Sequence, residues 1–445
     1  MRADGTLAGS ALRRDAAVAD MVAAGIGLAE AVAAASRVPA DLIGRPDLGR
    51  ITRGAAAGLT WLDDDLRTRA TWIGGELVYS RTGQAGAIGD CEPRRTVVSG
   101  PQVTHMRAEI AEQPAALRAT IDALLPRAAD AAALAGDARH VLFIARGTSD
   151  NAAVYGSYLI QAHAGRLATL ASPSIATAYR SRIDLSGVLA VALSQSGQTG
   201  EIVETMAWAR ACGARTLAIT NGAASPLADT AEVTFLTQAG TERAVPATKT
   251  FTTQLAAVAV LAVGLGADLD AGELRHVPDE IEAMLAAGPA DLDLLVNELA
   301  EVRGVVVSAR GMAYAAALEL ALKLKEACYL HAMGLSYADL LHGPIAVVDA
   351  QTPAILLAAD SGPTLDGTVD LARRVVGAGA RAYGIGGGDR LAAACTRALP
   401  GPRLPEWLAP MGLIVPGQLL TEALARRLGL DPDRPRGLNK VTQTA

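Results

Sequence analysis

The chain has 445 residues, 51% of them hydrophobic and 19% charged, with a formal net charge of −6. That length supports more than one domain, and the apolar fraction suits an α/β protein with an alanine-padded core. An acidic balance and only 3% aromatic residues argue against nucleic-acid binding, which needs a basic face or stacking platforms.

The four cysteines, Cys91, Cys212, Cys328 and Cys395, lie far apart and form no Cys-x-x-Cys pair, the usage of a reducing compartment. No charge-free apolar stretch approaches a transmembrane length, and Arg13, Arg14 and Asp15 fall where a signal peptide needs its apolar core. A cytoplasmic chain without a membrane partner is expected.

Residues 1–90 open with an amphipathic helix around Asp15–Ala24 and a second near Leu28–Ser36. Strand-like pieces follow at Gly58–Leu62, Ala70–Ile73 and Glu76–Ser80, the last two around Gly74-Gly75 as a hairpin signal. Arg81–Gln102 is rich in glycine, proline and charge, and residues 91–105 read as a linker. From Met106 the pattern becomes strand–helix alternation, the signature of a doubly wound parallel sheet. Met106–Leu134 reads as helix, His140–Ala145 as strand, and Arg146–Asn151 as the turn into the next helix. Val188–Leu193 has the length and β-branching of a buried strand, and Ile202, Met206 and Ala209 then fall at helical spacing. Between them Ser194, Ser196 and Thr199 cluster with Gly197 and Gly200. Hydroxyls at a helix N-terminus form either a phosphate cradle or a plain N-cap; three of them with two glycines favour the cradle. A strand at Arg215–Thr220 and a helix at Thr250–Leu265 complete this domain, and a joint at Gly266–Glu273 leads into a helix reaching about Glu301.

A third block repeats the second. Val141–Gly147 reappears as Val305–Gly311, and Ser196-Gly197-Gln198-Thr199 as Ser361-Gly362-Pro363-Thr364, at offsets of 310 − 146 = 164 and 361 − 196 = 165 residues. Two matches at one period indicate a duplicated domain. Ala359 and Asp360 replace Ser194 and Gln195, so the first copy is expected to hold the phosphate and the second to supply other chemistry. The expected domains are 106–270 and 271–430, followed by a tail, 431–445, over the site.

Glu319–His331 reads as a helix with Glu319, Lys323 and Glu326 on one face. That spacing suits a solvated salt-bridge stripe, but the surrounding Ala, Leu, Cys and Tyr favour partial burial, where a carboxylate beside a lysine becomes a tuned general base. His342, at a Gly-Pro turn before an apolar strand at Ile345–Val348, is a surface turn residue or a proton shuttle near neutral pH; His331 reads as structural. Neither histidine has zinc-ligand spacing, so no metal and no cofactor are expected. Lys440 in the tail is a solvated lysine unless the tail folds back over a site.

At these residues the chain resembles tandem sugar isomerase (SIS) domain proteins. It is similar to the isomerase half of glucosamine-6-phosphate synthase and to SIS-type glucosamine-6-phosphate deaminases, from about Met106 to the C-terminus. The likeness rests on Gly147–Ser149, Ser194–Thr199, Ala239–Glu242, Ala247–Gln254, Glu319–Glu326, His342–Pro344 and Leu438–Lys440. It implies two doubly wound, flavodoxin-like α/β domains. It assigns Thr148, Ser149, Ser194, Gln195, Ser196 and Thr199 to the sugar phosphate, and Val245 to the sugar. Glu326 becomes the base moving a proton between C1 and C2, and His342 the acid/base for ring opening. Lys440 is the tail lysine that forms an imine in the synthase, and Lys323 lies beside the reacting carbons. A histidine reaching into a neighbouring subunit's site implies a homodimer. Ala247 departs from the synthase pattern, which carries Ser there.

The synthase's glutaminase begins with a cysteine after Met; here Arg2 follows Met1. The expectation is therefore a deaminase turning glucosamine 6-phosphate into fructose 6-phosphate and ammonia. A galactosamine or tagatose-type 6-phosphate deaminase-isomerase is the enzymatic alternative. A noncatalytic sugar-phosphate sensor is the other, although a sensor would place a basic helix-turn-helix before one SIS domain. Residues 1–80 carry a second resemblance, in Gly5–Ser10, Arg37–Ala40, Leu48–Ile51, Asp63–Asp65 and Thr71–Glu76, to the end of N-acetylglucosamine-6-phosphate deacetylase. It implies a truncated amidohydrolase remnant lacking its metal ligands, with Met106 as the original start of the SIS protein.

Overall fold

The computed structural model describes residues 14–42, 48–49, 58–63, 66–73, 76–80 and 103–440. They fall into two compact units, Met1–Gly100 and Pro101–Ala445. The first unit carries helices Arg14–Ala23, Leu28–Ala35 and Arg37–Leu42, then strands β1 (Leu59–Leu62), β2 (Thr68–Ile73) and β3 (Glu76–Ser80). These pair in the antiparallel order β1-β2-β3. The Gly74-Gly75 turn, Cys91 and the 81–102 segment lie outside the described residues.

The second unit holds two five-stranded parallel sheets. Lobe one has β4 (His140–Ile144), β5 (Leu167–Leu170), β6 (Val188–Ser194), β7 (Arg215–Thr220) and β8 (Val233–Leu236). Lobe two has β9 (Gly304–Ala309), β10 (His331–Ser336), β11 (Ala354–Ala358), β12 (Ala382–Gly386) and β13 (Arg397–Leu399). Their orders, β5-β4-β6-β7-β8 and β10-β9-β11-β12-β13, are the same topology twice. The duplication read from two short motifs is thus carried by every strand. Central strands β6 and β11 are buried along almost their whole length, as parallel strands covered on both faces must be.

Each sheet packs one face on its own helices, through Ala190, Ile202 and Met206 in lobe one and Leu356, Val369 and Ala372 in lobe two. The opposite faces share one continuous core. Helices Lys249–Gly264, Tyr314–Cys328 and Ala409–Arg427 run through it and join the lobes. No helix among the described residues is long and apolar enough to cross a membrane.

Local structure departs from the sequence reading in four places. The helical stretch from Met106 is divided into His105–Ala111, Gln113–Leu124, a 3-10 turn and Ala128–Ala135, with Pro114 and Pro126 at the starts of new segments. The stretch before Glu301 is a 3-10 turn (Ala271–His276) and helices Val277–Ala287 and Leu292–Leu299, separated at Gly288-Pro289. His331 does not end the helix that starts before Glu319: Tyr329 turns left-handed (φ 55) after Cys328, and His331 opens β10. Ile345–Val348 is not a strand, because Gly343 (φ 125) and Pro344 start a 3-10 turn there.

Candidate active site

The crevice lies at the C-terminal ends of β4 and β6, where the strand order of lobe one reverses. That switch point is the expected binding place in an open parallel sheet. The cavity there encloses about 330 Å³, at the low end of the ~300–1,000 Å³ range of small-molecule sites. It brings together Thr148, Ser149, Ser194, Gln195, Ser196, Thr199, Val245, Lys323, Glu326 and Lys440, ten of the eleven residues singled out from sequence. His342 lines no part of it. That side chain is exposed, at the end of helix Tyr337–Leu341.

The hydroxyls are arranged to donate. Ser194 Oγ accepts the Gly197 N–H at 3.1 Å, and Ser196 Oγ the Gln198 N–H at 3.2 Å. Buried Ser149 accepts Gln254 Nε2 at 3.0 Å. In each case the hydroxyl proton is left for an acceptor in the cavity. Thr199 precedes helix Gly200–Ala211 without a side-chain capping bond, and Gly147 precedes helix Thr148–His163 likewise. Thr199 is thus no hydrogen-bonding N-cap, and the N-termini of both helices, which carry partial positive charge, border the crevice. Gly197 must be glycine: its φ is 66, and a Cβ would stand 2.2 Å from Ser225 Oγ.

Opposite the cradle lies a chain of charges. Helix Tyr314–Cys328 supplies Glu319, Lys323 and Glu326, and its Glu319 and Lys323 are fully buried. Lys323 Nζ lies 2.5 Å from Glu326 Oε2 and 3.4 Å from Glu319 Oε1. Lobe one closes the group. Thr148 Oγ1 donates to Glu319 at 2.9 Å and accepts from Lys323 at 3.2 Å, while Asn151 Nδ2 donates to Glu319 at 2.8 Å. Burial works against the Lys323 charge, but the two carboxylates outweigh it and raise its pKa. Burial raises Glu319 as well, only partly offset by Lys323 and Asn151. The Thr148 hydroxyl, assigned to phosphate by resemblance, is thus committed to this chain. What Thr148 offers an anion is its backbone N–H in the first helical turn.

The tail folds back over the same crevice. Lys440 Nζ donates to Glu242 Oε2 at 2.5 Å and to the Ala244 carbonyl at 2.7 Å. Glu242 is buried and also accepts from Thr248 N (2.9 Å), Thr250 N (3.1 Å) and Thr250 Oγ1 (2.7 Å). Burial would raise its pKa, but Lys440 and these donors hold it below 4.5. Further back, the Asp433 carbonyl accepts Val245 N–H at 2.9 Å, and its carboxylate accepts His105 and Met106 N–H at 2.8 and 2.7 Å. Tyr329 holds Arg436, accepting its N–H at 2.8 Å and lying beneath its guanidinium. Sequence reasoning gave no role to Glu242, Asn151, Gln254 or Asp433. Glu242 and Gln254 left a signal, inside the Ala239–Glu242 and Ala247–Gln254 motifs, and Asn151 ends the Arg146–Asn151 turn; Asp433 left none.

Glu242→Gln removes the charge that holds Lys440. A hydrogen bond to a charged group is worth about 1.5–3 kcal/mol, and a loss of that order is expected in urea unfolding. Trypsin should also cut faster at Arg436 and Lys440. Because the folded pKa of Glu242 is lowered, its contribution is complete above pH 4.5 and lost as pH falls through the folded value. The gap between wild type and variant should shrink only in that acidic window. Equal stability and equal cleavage at neutral pH would contradict the assignment.

The SIS domain pattern matches residues 136–264 and 298–399, one segment in each lobe. The chain is 36% identical over 353 residues to the isomerizing glutamine–fructose-6-phosphate aminotransferase of Gloeobacter violaceus, covering 75% of this chain and 58% of that relative. Among solved structures, the C-terminal domain of glucosamine-fructose-6-phosphate aminotransferase from Francisella tularensis superposes with a TM-score of 0.68 at 27% identity. That match covers 76% of this chain and 99% of the other. Glucosamine-6-phosphate deaminase of Thermotoga maritima shares the fold, with a TM-score of 0.62 at 21% identity over 77% of this chain and 100% of its own. Two SIS segments in matching lobes, with the cavity at the switch point of the first, establish that this chain belongs to the SIS domain family.

Proposed function

We propose that the chain is a phosphosugar aldose–ketose isomerising deaminase, converting glucosamine 6-phosphate and water into fructose 6-phosphate and ammonia. The observation that carries this reading is the Lys323 ammonium held between Glu319 and Glu326 in the wall of a hydroxyl-lined cavity. The cradle would take the phosphate through Ser149, Ser194, Gln195, Ser196 and Thr199, with Val245 along the sugar. Glu326, the partly exposed member of the charge chain, would carry the proton between C1 and C2. Lys323 would steady the negative charge that develops on the adjoining oxygen. Lys440 would meet the open-chain carbonyl, and His342, exposed away from its own cavity, would serve ring opening in the cavity of a second copy. Release of ammonia needs only water as co-substrate, and Glu326 and Lys440 are both reached by solvent.

Residues 1–90 are read as the remnant of an amidohydrolase end that takes no part in this chemistry.

Incubation with glucosamine 6-phosphate should release ammonia and fructose 6-phosphate in equal amounts. Turnover of galactosamine 6-phosphate alone would move the substrate to the other epimer, and binding of both without turnover would favour a sensor. Glu326→Gln should lower kcat by at least about 10²-fold, the scale of general acid–base catalysis, with phosphosugar affinity retained. Loss of binding with turnover preserved would contradict the base. Chains beginning at Met1 and at Met106 should turn over equally; a large loss in the shorter chain would refute the remnant reading.

A further inference from the structure

Lobe two repeats the anion crevice of lobe one and fills it with a carboxylate of its own. Its switch point lies between β9 and β11, as that of lobe one lies between β4 and β6. Gly311 (φ 63) follows β9 as Gly147 (φ 56) follows β4, and Gly362 (φ 112) follows β11 as Gly197 (φ 66) follows β6. Thr364 precedes the 13-residue helix Leu365–Gly377 without a side-chain capping bond, matching Thr199. At Gly147 a Cβ would meet nothing within 4 Å, because that position opens on the cavity.

In lobe two the corresponding space is taken by Glu406, which lies just ahead of helix Ala409–Arg427. Its Oε1 accepts the Thr364 hydroxyl at 2.7 Å. Where a Cβ on Gly311 would stand, the Thr364 methyl lies at 3.0 Å and that same oxygen at 3.4 Å, and Oε2 lies 2.8 Å from the position of a Cβ on Gly362, the direction Ser225 fills at Gly197 in lobe one. The carboxylate thus bridges both loops at the N-terminal end of a helix, where negative charge is favoured. A side chain at Gly362 would evict it. The Gly311 loop runs through the turn Gly311–Ala313 into the helix that carries Glu319, Lys323 and Glu326.

We propose that Glu406 is a built-in occupant of the lobe-two crevice, seated where an external phosphate would otherwise bind. Each chain then takes one phosphorylated ligand, in lobe one. The loop opening the Lys323 helix is held permanently in its anion-bound form. The inference rests on reading lobe one as an anion cradle, and the test separates the two claims.

The full-length chain carries Ser196→Ala and Thr199→Val to silence lobe one, and Glu406→Ala is then added. Thermal unfolding is followed against inorganic phosphate, with the lobe-one double variant as the baseline for the general stabilisation that excluded salts give. Adding Glu406→Ala should produce a saturable rise in unfolding temperature, with apparent phosphate affinity about tenfold or more above that baseline. If the triple variant does not fold in phosphate-free buffer, it should fold in sodium sulfate at a concentration that leaves the unfolding temperature of the double variant unchanged, but not in sodium chloride of equal ionic strength. A folded triple variant that binds phosphate no better than the double variant overturns the proposal, as does failure to fold in both salts. The lobe-one reading is judged apart, by whether wild type shows a saturable phosphate response that the double variant lacks.

Discussion

The arrangement depends on one buried ammonium. Lys323 is almost fully buried and draws its compensation from both lobes: Glu319 and Glu326 on its own helix, Thr148 across the crevice, and Asn151 through Glu319. Removing a charge from water costs several kcal/mol per ion, and even a well-made pair often returns less than apolar packing would. A buried charge chain is therefore a poor device for stability and a good one for chemistry, placed as it is at the switch point of a sheet. It also ties the lobes together, since the Thr148–His163 helix, whose N-terminus borders the cavity, supplies two of its polar partners.

Duplication of the fold allows the labour to be divided. Lobe one keeps an open crevice with proton-bearing hydroxyls, while lobe two contributes the charged helix and closes its own crevice with Glu406. The tail is fastened by Asp433 at the first helix of the unit, by Tyr329 beside Arg436, and by buried Glu242 on Lys440. These fastenings place Lys440 in the lining of the same cavity as Lys323. The position of Lys440 at the cavity therefore depends on how firmly Glu242 holds it.

How much of this is legible in the sequence depends on the range of the interaction. Strands such as Val188–Ser194 and Arg215–Thr220 are legible because burial on both faces demands an unbroken apolar run. The short edge strands β5, β8 and β13 carry no such run. The helical face of Glu319, Lys323 and Glu326 follows from local spacing, yet its burial is decided by Thr148 and Asn151, some 170 residues earlier (319 − 148 = 171; 319 − 151 = 168). Glu242 and Asp433 are likewise set by partners far along the chain. Nothing local announces the left-handed turn at Tyr329, which takes His331 out of the helix that its sequence context suggests.

The most direct test of the central claim follows the hydrogen on carbon. A phosphosugar carrying deuterium at C2 is incubated with the enzyme, and transfer of that label to C1 or its loss to water is followed by NMR. Wild type should move or wash out the label, and Glu326→Gln should leave it in place under saturating substrate. A label that stays on C2 with wild-type protein while the sugar is demonstrably bound would contradict proton transfer at the Lys323–Glu326 pair.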